Sequence, residues 1–142
     1  MKTRYFALAI GVVYLIVGIL GFVPGLTTAP IGHPPLAINA GYGLLFGLFP
    51  VNVIHNLIHL ALGVWGILAW RSWSNARAFS RSLAVIFGLF VIMGLIPGLR
   101  TVFGLAPLFG HDIWLHAVTA IAAAYFGWAT SARDRSAITP PR

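Results

Sequence analysis

The sequence predicts an all-α fold, an integral membrane four-helix bundle made of two tandem helical hairpins. Three observations carry that expectation. The chain has 142 residues, 59% of them hydrophobic and 8% charged, with a mean hydropathy of +0.92, which lies outside the range of soluble globular domains. Charge is absent from three long stretches: between Arg4 and Arg71, between Arg81 and Arg100, and between Asp112 and Arg133. A span needs about 20 apolar residues to cross a hydrocarbon core of about 30 Å, so the first stretch holds two spans and the others one each. Finally, two short patterns occur twice, at matching places in the two halves.

Taken in order, the expected helices cover residues 5–23, 51–70, 82–99 and 108–130 of one membrane domain, residues 1–132. Residues 133–142 are expected to be a disordered cytoplasmic tail. Helix one has a basic start and an apolar run, like a secretory signal. Its run is longer than the usual 7 to 15 residues, and it has an internal counterpart, so it reads as a span. It ends in Gly21-Phe22-Val23-Pro24-Gly25-Leu26, and helix three ends in Gly94-Leu95-Ile96-Pro97-Gly98-Leu99, the same G-x-x-P-G-L pattern. Helix two follows Gly47-Leu48-Phe49-Pro50 and helix four follows Gly104-Leu105-Ala106-Pro107, the same G-L-x-P pattern. Proline suits a first helical turn, where its missing N–H would be unpaired in any case, so Pro50 and Pro107 are expected to start helices two and four. Both hairpins begin on the same side, which makes this a parallel repeat. The first has the longer outer connection, and its extra apolar piece, residues 36–46, is about half a span long, suited to a re-entrant or interfacial segment.

The formal charge of +7 is distributed as topology signals rather than as a nucleic-acid surface. Lys2 and Arg4 precede helix one, Arg71, Arg77 and Arg81 are expected to fill the loop between helices two and three, and Arg133, Arg135 and Arg142 follow helix four. The positive-inside rule then puts both termini in the cytoplasm. Trp65, Trp70, Trp73 and Trp128 fall near the cytoplasmic ends and Trp114 near the outer one, as interfacial aromatics do. Gly11 with Gly18, and Gly63 with Gly66, share helix faces and read as close-packing positions.

The polar residues inside these spans are the candidate site. His55 and His59 in "PVNVIHNLIH" are four apart, about 40° around a helix, and form one ledge together with Asn52 and Asn56 as further polar residues. Aligning Pro50 with Pro107 superposes His59 on His116 and His55 on Asp112, so Asp112 and His116 form the second ledge, with His111 one residue before it. The four histidines of helices two and four lie within about 14 Å of a helix-starting proline, and His33 is in the outer loop, so all five fall in the outer half. Four readings compete. Imidazoles and a carboxylate suit zinc, copper or non-haem iron, with His55, His59, His111, Asp112 and His116 as ligands. His59 and His116 on facing helices suit a haem or a chlorophyll-like tetrapyrrole. Ionisable groups inside a membrane also mark proton or ion relays, and neutral histidines and asparagines can simply tie helices together.

Enzymatic chemistry finds little support. There is no cysteine and there are two acidic residues, Asp112 and Asp134, so thiol chemistry and a paired-carboxylate acid and base are excluded. Every serine maps to the cytoplasmic side, away from Asp112, and no phosphate-binding loop stands between a strand and a helix.

The stretch Leu48-Phe49-Pro50-Val51-Asn52-Val53-Ile54-His55-Asn56-Leu57-Ile58-His59, with Gly63 and Gly66 after it, resembles the hallmark of a bacterial membrane family, domain of unknown function 4383. The resemblance covers helices one to four, with residues 36–49 as part of the same signature. It implies four membrane helices, a bacterial inner membrane and His55, Asn56 and His59 as motif residues, and brings no activity with it. The expected function is therefore a small multi-pass protein with an outer-leaflet polar site for a metal ion or tetrapyrrole. The alternative is an accessory subunit of a larger membrane complex, or a homo-oligomer, whose glycine faces pack against partners.

Overall fold

In the computed structural model, which describes residues 1–130, the chain forms four helices and one small sheet. Helix α1 runs Lys2–Leu20, α2 Val53–Ala69, α3 Trp73–Leu95 and α4 His111–Ala124, the last continuing into a π turn at Tyr125–Ala129. Between α1 and α2 lie β1 (Thr27–Thr28), β2 (Gly43–Leu45) and β3 (Phe49–Val51), an antiparallel sheet in the order β1-β2-β3. The all-α expectation is corrected to that extent. α1 and α3 are each long and apolar enough to cross a bilayer, and α2 is a shorter apolar helix.

Helix boundaries depart from expectation for local reasons. α3 begins at Trp73 rather than at residue 82, because Ser72 caps it by accepting from the Asn75 N–H. Arg77 and Arg81 therefore belong to α3 and not to a loop; long basic side chains lie along a helix and carry their charge to its end. Pro50 and Pro107 do not start helices. Pro50 lies in β3 opposite Leu44, and α2 starts three residues later, behind the cap Asn52. α4 waits until His111 because Gly110 adopts φ 65°, outside the helical region. Residues 36–46 turn back through β2, and Tyr42 pins this loop by donating its hydroxyl to the Pro34 carbonyl at 2.8 Å. The expected tail lies outside the described residues.

α1 packs on α2 with backbones nearly touching. A Cβ on Gly63 would stand 2.7 Å from the Leu15 nitrogen, and one on Gly11 would stand 2.8 Å from the Ile67 nitrogen. Only hydrogen fits there, which is why both faces carry glycine. The core runs through Ala7, Tyr14, Leu62, Ala69, Ala76, Phe79, Leu83, Phe87 and Ala123. The residues from α3 are spaced three or four apart, the stripe of an amphipathic helix face. Outside it the surface is apolar: Val12, Ile16, Ile19, Val64, Leu68, Val85, Leu89, Ile92, Val118 and Ile121 are all exposed.

Candidate metal centre

Asn52 sets the frame of the site. Its side-chain oxygen accepts from the His55 N–H at 2.9 Å, capping α2, while its amide donates to the carbonyls of Ile38 and Leu105, each at 2.8 Å. One fully buried side chain thus joins the helix start to the loops before α2 and before α4. One turn further in, His55 sits on the face that also carries His59. Across the interface, α4 presents Asp112 and His116, again four residues apart.

The histidines of the two ledges meet. His55, His59 and His116 are 5%, 6% and 3% exposed, and Asp112 is 2% exposed. One ring nitrogen from each of the three histidines lies within 4.8 Å of the others. The His55 and His59 ring centroids are 4.4 Å apart, and those of His55 and His116 are 6.2 Å apart. Asp112 Oδ2 lies 3.7 Å from His55 Nδ1.

His55 has a defined tautomer. Its Nδ1 is 3.2 Å from the Pro107 carbonyl oxygen, and a carbonyl can only accept, so Nδ1 carries the proton and Nε2 keeps its lone pair. A ligand imidazole is commonly oriented in this way, through its second nitrogen. Among the described residues, His59 Nδ1, His116 Nδ1 and Asp112 Oδ2 are buried without a hydrogen-bond partner. Such atoms are costly unless something else satisfies them.

Two cavities adjoin the cluster. One, about 110 Å³, is lined by His55, His59 and His116 with Phe87, Phe90 and aliphatic side chains. The other, about 90 Å³, lies toward the sheet and is lined by His55, His59 and Asp112 with Leu45, Phe49 and Val51 among others. Pockets for organic ligands usually hold about 300–1,000 Å³. Three imidazole nitrogens within 4.8 Å of one another lie at a spacing suited to a small ion.

Other expected site residues fall outside this set. His111 is exposed and accepts from the Trp114 indole N–H at 3.0 Å, so it does not join the cluster. His33 is exposed too, stacked on Phe109. Asn56 is fully buried and turned toward α1, where its amide fills the space beside Gly21. The sequence reading missed the aromatic walls: Tyr14 stacks on His59 at 5.1 Å, and Phe87 meets His116 edge to face at 4.7 Å. Tyr14 did carry a signal, being a hydroxyl in an apolar helix between Gly11 and Gly18 on the face that packs on α2.

A family model described as "Domain of unknown function (DUF4383)" matches residues 4–129. Comparison with curated proteins and with solved structures returns no match.

Proposed function

The chain belongs to the DUF4383 family, and from its own side chains we propose that it is a four-helix membrane protein holding one first-row transition-metal ion. His55, His59 and His116 are the ligands, and Asp112 stands beside the His55 Nδ1 as its electrostatic partner. The observation that carries this reading is the convergence of three buried imidazole nitrogens within 4.8 Å. A zinc-like ion bonds imidazole nitrogen at about 2.0–2.1 Å, which puts tetrahedral donors about 3.3 Å apart. Neutral nitrogen donors with a single carboxylate favour zinc or copper over magnesium or calcium, which prefer oxygen ligands.

The membrane part of the proposal rests on the two long apolar helices and on the apolar exterior, which is far larger than a soluble monomer normally exposes. We assign it to a bacterial inner membrane, both termini cytoplasmic, with the metal in the outer half. Two features support the tandem hairpins. Phe46 and Gly47 have φ 54° and 72°, and Phe103 and Gly104, at the offset that relates Pro50 to Pro107, have φ 57° and 87°. Gly21 abuts Asn56 on α2, while a Cβ on Gly94 would stand 3.0 Å from Ile113 on α4, the residue equivalent to Asn56.

Elemental analysis of the chain purified from membranes in mild detergent tests the metal. About one zinc or copper per chain, lost in His59→Ala with helicity retained, is the expected result. A metal-free, folded chain that takes up neither ion on titration overturns the proposal. A second reading, a proton or ion relay, draws on one observation: His55 and His59 line both cavities and so stand between them. A metal-free chain that moves protons in sealed vesicles would favour it.

A further inference from the structure

From one turn below His116 toward the opposite end of the molecule, α3 and α4 leave a shallow, open groove lined by Ala84, Val85, Ala120, Ile121, Ala124 and Trp128. Its walls are wholly apolar along most of its length, and the three alanines make it a trough rather than a knobbed interface. Its end is different. The Arg81 guanidinium lies over the Trp128 ring, 5.3 Å from the centroid, and one turn earlier on α3 the Arg77 guanidinium lies over Trp73 at 5.0 Å. Both arginines donate through Nε to one acceptor, the Gly127 carbonyl, at 3.0 Å from Arg77 and 2.9 Å from Arg81.

That shared acceptor is available because the helix changes pitch there. Over Tyr125–Ala129 the backbone is a π turn, with the Thr130 N–H donating to the Tyr125 carbonyl five residues back. Such turns redirect carbonyls and recur at functional sites. Gly127 is buried against Arg81, and a Cβ there would stand 2.9 Å from its Cγ, so the close approach depends on glycine. Each guanidinium has five N–H donors in a fixed fork, and the Gly127 bond engages one of each. The remaining donors suit a tetrahedral anion. Among the described residues the one side-chain carboxylate, Asp112, is at the other end of the bundle.

An apolar trough running into two guanidiniums and an interfacial tryptophan complements a molecule with the same order of parts, an acyl chain followed by a phosphate. We propose that this groove binds one anionic phospholipid of the cytoplasmic leaflet, its phosphate on Arg77 and Arg81 and one acyl chain along Ala84, Ala120 and Ala124. The site rests on the membrane reading and is independent of the metal.

Native mass spectrometry of the full chain in detergent, exchanged against equal amounts of phosphatidylglycerol and phosphatidylcholine with identical acyl chains, tests this. The expected result is a one-to-one phosphatidylglycerol adduct, favoured about fivefold or more for one charge contact of ordinary strength. Ala84→Phe fills the trough and keeps the charges, so it is expected to lower the adducts of both lipids, whereas Arg81→Gln keeps the trough and removes a charge, so it is expected to bring the two lipids near parity. Parity in the unsubstituted chain, an undiminished preference in folded Arg81→Gln, undiminished adducts in folded Ala84→Phe, or a second chain in place of lipid overturns the site. Release of the chain from membranes by alkaline carbonate overturns the membrane reading and the site with it. A carbonate-resistant chain with no lipid preference fails the lipid site alone.

Discussion

The Nδ1 of His55 and the carbonyl oxygen of Pro107, on different halves of the chain, share a hydrogen bond of 3.2 Å. Through it the loop before α4 orients the first ledge, turning the His55 Nε2 lone pair away from that loop. The proposed ligand set is assembled by contact between the halves. His55 and His59 come from α2 and His116 from α4, so the three-imidazole cluster needs both helices.

Removal of single ligands should therefore separate binding from folding. His116→Ala leaves two histidines on one helix and is expected to weaken zinc or copper binding more than tenfold, since loss of even an outer-shell partner of a ligand costs about 10–100-fold. The helical circular dichroism should be unchanged. Competition titration against a chelator reads the affinity, and equal affinity in the variant and the original chain would remove His116 from the site.

Metal retention should depend on pH with a definite sign. An imidazole binds a metal through the lone pair that a proton would take, so protons and metal compete and acid releases the ion. Occupancy is expected to be full at pH 7.5 and to fall in acid, once protons outcompete the metal for the imidazole lone pairs. Dialysis at a series of pH values followed by elemental analysis checks this, and a release with no dependence on pH would point to ligands other than histidine.

Two neighbouring buried asparagines should behave oppositely. Asn52 caps α2 and bonds two loop carbonyls, so Asn52→Ala is expected to cost about 2–4 kcal/mol. Asn56 has no hydrogen-bond partner for its amide among the described residues, and its equivalent in the second hairpin is Ile113. Asn56→Leu should cost less than about 1 kcal/mol, because an apolar group replaces an unpaired polar one. Denaturant titration in detergent distinguishes the two, and a larger loss for Asn56→Leu would reveal a ligand or partner for that amide.

The α1–α2 contact should be the least tolerant of added volume. Gly63→Val puts its branched carbons where backbone already stands, and overpacking of this kind costs about 1–3 kcal/mol. By contrast Gly88→Val, at an α3 position with open space around it, should cost less than about 1 kcal/mol, mainly through the lower helix propensity of a β-branched residue. Comparable losses at both positions would mean that packing does not set the glycine pattern.

The sequence alone determined four helices in this order, since runs without charge and a punctuation of glycine and proline are local signals. It also brought out His55, His59, Asp112 and His116, because a polar side chain four residues from another is conspicuous on an apolar helix. Other features were beyond its reach. The three strands are two or three residues long, too short to show an alternating pattern, and Ser72 outweighed the arginines in starting α3. That His111 stays outside while His116 goes in follows from Gly110, whose φ delays α4 and leaves His111 exposed at its first turn. Only the tertiary structure decided that three of the five histidines converge, that Pro107 orients one of them, and that Arg77 and Arg81 share the Gly127 carbonyl. Each is a contact between segments about 50 residues apart, and periodicity along one helix carries no information about which face of another helix will meet it.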